Sequence, residues 1–318
     1  MRGWLARGRE AFRLAGDRSD LWLAGALGWL VFVGWLPLLL VVAPPDAEGI
    51  EEFGISLYLS QSFPFNAVLL AAGAVAGFIA LCLLAAAAEV AIEHAADPRA
   101  AHARPGRATL SAFAILLVAS VPVVAAAGLV LGAVVAVAPA EYLSSDLAVP
   151  VLLRIVLRIL PELGVLLVVL LVMQTIGGAA LRIGFTHPAQ PAIASLGAAL
   201  RSVLVRPWRP LGVALSGLVV DAVAVAVTFG LLRLLWAPIG LGLGDGLRSR
   251  PETVLLLLGF VAVWLGLLLA AGALHVAISA WWAMEVGTGV GASGSEGIHT
   301  GTRGPAGPLP GTDAGGPH

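Results

Sequence analysis

The chain contains no lysine and one cysteine, and only 12% of its 318 residues are charged. A single thiol, Cys82, excludes an intramolecular disulfide, and its place inside an apolar run marks it as a small apolar filler. The formal net charge of -1 excludes the dense basic surface that nucleic acid demands. All 18 basic residues are arginine, a bias to which no function attaches, although it keeps each charge in place at any accessible pH. The motifs HExxH, GxSxG and GxxxxGK(S/T) are missing, so no zinc protease, nucleophile elbow or P-loop is recognisable. The run GLGLGDG from Gly240 to Gly246 has the composition of a phosphate loop, but no strand precedes it.

What remains is apolar. Hydrophobic residues make up 59% of the chain and mean hydropathy is +0.97, which places it among polytopic helical membrane proteins and leaves no soluble domain of ordinary size. The expected fold is all-α, six transmembrane helices with amphipathic cytoplasmic helices. Its parts are an amphipathic segment at 1–20, a six-helix domain at 21–285 and a tail at 286–318. The tail is rich in Gly, Pro, Ser and Thr, and from 287 onward it has no Phe, Trp or Tyr, a composition that predicts disorder.

Residues 1–20 predict a helix lying on the membrane, with Trp4, Ala11, Phe12 and Ala15 on one face and Arg2, Arg9 and Arg13 on another. The run at 21–43 is too long for the apolar part of a signal peptide, about 7–15 residues, and reads as a retained first span. Spans two and three, at 65–92 and 110–137, each carry a GxxxG face (Gly73 and Gly77; Gly128 and Gly132) suited to close helix packing, and Pro122 invites a kink. The apolar segment at 150–183 would extend about 50 Å against a hydrocarbon core of about 30 Å. Pro161 should divide it into an interfacial or tilted helix at 151–160 and a fourth span at 163–182. Before span five, Leu196, Ala199, Leu200, Val203 and Leu204 repeat with helical spacing, which predicts an amphipathic helix with Arg201 off its apolar stripe. Spans five and six occupy 211–236 and 253–282, the last ending in Trp281 and Trp282, a pair suited to an interfacial belt. Arginines concentrate at the N-terminus and in the connections after spans two and four, so the positive-inside rule predicts both termini in the cytoplasm. Arg13 with Arg18, Arg99 with Arg104, and Arg201 with Arg206 repeat one spacing before each odd-numbered span, as a threefold hairpin duplication or positive-inside selection alone would produce.

Asp221 is the sharpest candidate for chemistry. It lies about 15 Å along its helix from Leu211, near the middle of the bilayer, where an acid must be neutralised or paired. Its helix face also carries Ala214, Gly217, Ala224 and Thr228, so it should point into a helix interface. The intramembrane polar site predicted from sequence is therefore Asp221 and Thr228, with Arg154 and Arg158 reaching inward as partner charges; a buried acid that fixes helix register is the alternative. Arg154, Arg158 and Glu162 recur every fourth residue and read as a ladder at the outer headgroup boundary, or as an anion-binding wall if their helix enters the bundle. Glu89, Glu93, His94 and His275 fall near helix ends and read as solvated. A divalent metal between the first three is the lesser alternative, with His102 the one other nearby ligand. No catalytic residue, metal site or cofactor is assigned.

The segments REAFRLAGDRSDLWLAGAL, ADPRAAHARPGRATLSAF and SLGAALRSVLVRPWRPLG, set before spans one, three and five, resemble those of six-helix bacterial membrane proteins. These are similar to the membrane domain attached to some bacterial glycerophosphodiester phosphodiesterases. The likeness covers about residues 5 to 285 and implies the fold alone, because that family supplies no settled catalytic residues in its membrane part. No soluble phosphodiesterase domain lies within these 318 residues. The expected function is a non-enzymatic scaffold or accessory subunit of the cytoplasmic membrane. Its partners would be the lipid bilayer and a membrane or cytoplasmic protein, engaged through Trp4, Phe12, Leu196 and Leu200. The alternative is a small-solute transporter or lipid-handling protein that uses the midplane carboxylate.

Overall fold

The computed structural model describes residues 2–42, 52, 55–96, 105–142, 144, 151–187, 190–244 and 251–295. Outside them lie about half of the acidic connection after span one, the basic residues Arg99 and Arg104 with His102, the end of the acidic connection after span three, the loop carrying Arg248 and Arg250, and the tail from 296.

Six helices are long and apolar enough to cross a membrane: Ser19–Val42, Phe65–Ala96, Pro105–Tyr142, Leu160–Thr186, Trp208–Gly240 and Glu252–Val286. The shortest has 24 residues and reaches about 36 Å, more than a hydrocarbon core. No strand occurs among the described residues. In chain order the helices are α1 (Arg2–Asp17), α2 (Trp22–Trp29), α3 (Trp35–Val42), α4 (Phe65–Ala96), α5 (Pro105–Tyr142), α6 (Val151–Arg158), α7 (Leu160–Thr186), α8 (Ala192–Val205), α9 (Trp208–Gly244) and α10 (Pro251–Ser295). A wide π-type turn at Leu30–Gly34 joins α2 to α3 within the first span. The break between α6 and α7 falls at Ile159, with Pro161 in the first turn of α7 where its missing N–H costs nothing. Pro122 lies inside α5 without dividing it. Helix α10 runs to Ser295, so the start of the Gly-rich stretch is helical rather than disordered.

Helix α10 is the hub, packing on α1, α2, α4, α7 and α9. Its crossing with α2 is a backbone contact: a Cβ on Gly25 would strike the Gly272 carbonyl oxygen, and one on Gly272 would strike the Ala26 nitrogen and the Trp22 carbonyl oxygen. Only glycine at both positions lets the two helices approach so closely.

The bundle is closed at the end that carries α1 and α8, here the strap end. A continuous core there includes Ala11 of α1, Ala86 and Val90 of α4, Ala112 and Ile115 of α5, Ala180 and Phe185 of α7, Ala199 of α8, Val213 of α9 and Trp281 of α10. At the far end a smaller cluster of Val41, Leu232, Ile239 and Phe260 joins α3, α9 and α10. Helix α4 takes no part in it, and residues 68–81 are exposed on every side. The GxxxG glycines are accordingly not packing positions within this chain: a Cβ on Gly73, Gly77, Gly128 or Gly132 would meet nothing within 4 Å. The spacing was right for close packing, but the backbones that touch belong to α2 and α10.

Three other expectations are corrected by packing. Trp281 and Trp282 are 6% and 5% exposed rather than lipid-facing, Trp281 packing against Trp4 in a tilted pair with ring centroids 4.6 Å apart and Trp282 covering Gly178. In α1, Trp4, Ala11 and Ala15 turn inward and Phe12 stays exposed. In α8, Ser195, Leu196, Ala199 and Val203 face the core while Leu200 and Leu204 face out, because the apolar stripe is wider than the surface available to cover it.

Candidate functional site

Near the strap end three spans bring ionisable side chains together. The i, i+4 spacing of Glu89 and Glu93 sets both carboxylates on one face of α4, and Arg182 near the end of α7 reaches between them. Its Nη2 donates to Glu89 Oε2 at 2.8 Å and its Nη1 to Glu93 Oε2. From α10, His275 Nε2 donates to Glu89 Oε1 at 2.9 Å, and Ser279 Oγ donates to the same oxygen at 3.0 Å. Glu89, Glu93 and Arg182 are 4%, 2% and 3% exposed, so these are desolvated charges whose cost is offset by the ion pairs and hydrogen bonds among them and with His275 and Ser279. The guanidinium also lies over the Phe185 ring, 5.6 Å from its centroid.

The α2–α10 crossing positions His275. A Cβ on Gly28, one turn beyond Gly25, would come within 2.8 Å of His275 Nε2, so the imidazole occupies space that a side chain on α2 would fill. Phe32 lies on the other flank, its ring centroid 6.4 Å from that of His275. Asp221 on α9 stands within electrostatic reach of His275 and beside Trp29, which is 1% exposed. Among the described residues the Trp29 indole N–H has no acceptor at hydrogen-bond geometry. Asp221 itself is partly exposed; on its helix Ala214, Gly217 and Thr228 are buried and Val219, Val223 and Val227 are exposed, so the small-residue face does turn into the bundle.

Arg154 and Arg158 do not serve Asp221. Arg154 Nε donates to Glu141 Oε2 at 2.9 Å and its Nη2 to the Glu141 carbonyl oxygen at 2.6 Å, while Arg158 Nε lies 3.0 Å from Glu141 Oε1. Glu141, 6% exposed at the end of α5, is thus held by two cations from α6, and the supposed ladder with Glu162 is interrupted by the turn at Ile159. The four residues predicted as one polar site therefore separate. Asp221 neighbours the buried network, Thr228 lies about 10 Å further along α9, and the two arginines belong to another cluster.

Glu89 and Glu93 are not solvated helix ends either. The Arg182 guanidinium fills the position a metal would take between them, and His94 instead turns Nδ1 to the Val90 carbonyl oxygen at 2.7 Å. Among the described residues no three His, Cys, Asp or Glu side chains are arranged to hold a metal ion. Arg182 was missed because it counts as an ordinary flanking arginine under the positive-inside rule. The usable signal was an acid pair at i, i+4 on one span and an arginine at similar depth on another. Comparison with protein-family models, with curated proteins and with solved structures gives no match for this chain.

Proposed function

We propose that the protein is a multi-pass protein of the cytoplasmic membrane, with both termini cytoplasmic, that couples proton movement to passage of a small solute. The observation that carries this reading is the position of His275, which bonds Glu89 and lies within electrostatic reach of Asp221. It joins the acid about a third of the way along α9 to the Glu89–Arg182–Glu93 network near the strap end. Three carboxylates there face one guanidinium and one imidazole, so electrical balance among these side chains requires two further protons, shared among the imidazole and the acids. A desolvated group that must hold protons to stay neutral can also pass them on when its neighbours move.

The test is electrophysiology on proteoliposomes fixed to a solid support, challenged with pools of sugars, amino acids and organic ions under a pH gradient. Wild type should give a transient current with one pool, and Asp221→Asn should lose it while remaining folded. No current from any pool, or an unchanged current in Asp221→Asn, overturns the proposal.

A second reading, a non-enzymatic scaffold or accessory subunit, is favoured by the docking of α1. Arg7 pins that helix to α10 through Glu285, with Nε 2.7 Å from Oε1 and Nη2 3.1 Å from Oε2. A stoichiometric second subunit in native mass spectra, retained by Asp221→Asn, would decide for it.

A further inference from the structure

Beside α1 lies a surface groove of about 580 Å³ lined by Leu5, Gly8, Arg9, Phe12, Arg13 and Trp281. Its lining divides by chemistry. Arg9 and Arg13 stand one turn apart, both exposed, and neither makes an ion pair among the described residues. Leu5 and Phe12 are 56% and 44% exposed, and Trp281 forms the floor, with its ring 3.1 Å from where a Cβ on Gly8 would stand. Two cations with no ion pair among the described residues and an apolar wall therefore share one groove at the end of a membrane-spanning helix.

We infer that this groove binds one anionic phospholipid, its phosphate on Arg9 and Arg13 and an acyl chain along Leu5, Phe12 and Trp281. A zwitterionic lipid would bring its own cation against the two arginines, and a soluble anion would leave the apolar wall in water. The Arg7–Glu285 ion pair and the tilted Trp4–Trp281 contact hold α1 in place, so the site is built before the lipid arrives. The inference does not depend on the transport reading.

The test is native mass spectrometry of the full chain in mild detergent with equal amounts of phosphatidylglycerol and phosphatidylcholine. Wild type should retain phosphatidylglycerol preferentially. An arginine near a charged lipid surface is worth about 1 kcal/mol, so Arg9→Gln and Arg13→Gln should each cut the preference about fivefold and together about 25-fold. Phe12→Ala should reduce both lipids alike, and Arg201→Gln on α8 should leave the preference intact. Equal retention of the two lipids by wild type, a preference unchanged in the double variant, or one lost equally in Arg201→Gln overturns the site. Displacement of the lipid by inorganic phosphate alone also overturns it, since the acyl chain would then contribute nothing.

Discussion

Arg182 is held by two carboxylates and is 3% exposed, and removing it leaves two buried acids without the cation they share. Breaking a buried pair in this way costs about 3–5 kcal/mol. Arg182→Ala should therefore lower the thermal unfolding midpoint strongly when tryptophan fluorescence is followed in detergent. Arg182→Met combined with Glu89→Gln and Glu93→Gln should recover most of the loss, because an apolar or neutral set of similar volume removes the charges together. A triple variant no better than Arg182→Ala would mean that the arginine acts through its shape and not its charge. At this scale little was legible in advance. Asp221 stood out because it is the one acid deep inside a run of apolar residues, and its small-residue face could be read from helical spacing alone. Glu89 and Arg182 are 93 positions apart in sequence, and only the packing of α4 against α7 makes them neighbours. Glu141 was likewise invisible as the partner of Arg154, since a connection of unknown course separates them.

At the scale of elements, hydrophobic run length identified all six spans, and Pro161 located the α6–α7 break to within two residues of Ile159. Run length reports the solvent a helix needs. It says nothing of which neighbour that helix meets, and the glycine motifs were misassigned for that reason. Gly272→Ala should force α2 and α10 apart and cost about 1–3 kcal/mol or more, the usual range for overpacking. Gly73→Ala meets open space and should change stability by less than about 1 kcal/mol. Guanidinium or thermal melts of the two variants side by side distinguish them. A neutral Gly272→Ala would remove the backbone crossing as the reason for the position of His275. Outside the spans, Arg18 forms an exposed ion pair with Asp20, and its hydrogen bond to that carboxylate raises the guanidinium pKa. It closes the turn between α1 and the first span.

For the whole molecule, α1 and the end of α10 share one face, because Arg7 meets Glu285 and the Trp22 indole donates to the Ala15 carbonyl oxygen at 2.7 Å. The proposed orientation puts that face in the cytoplasm. In a Cys82→Ser background, a cysteine at the exposed Gly16 should react with a membrane-impermeant maleimide only after cells are opened. One at the exposed Tyr58, between spans one and two, should react in intact cells. The reverse pattern would invert the protein.

The grip on α4 has a mechanical side. Glu89 and Glu93 sit one helical turn apart and share one guanidinium, and a residue of helix corresponds to about 100° of rotation. Turning α4 by a single residue about its own axis would carry both carboxylates away from Arg182 at once, whereas leaning the free length above Cys82 sideways would disturb neither contact. The helix is thus keyed like a peg in a slot, its azimuth fixed at its foot.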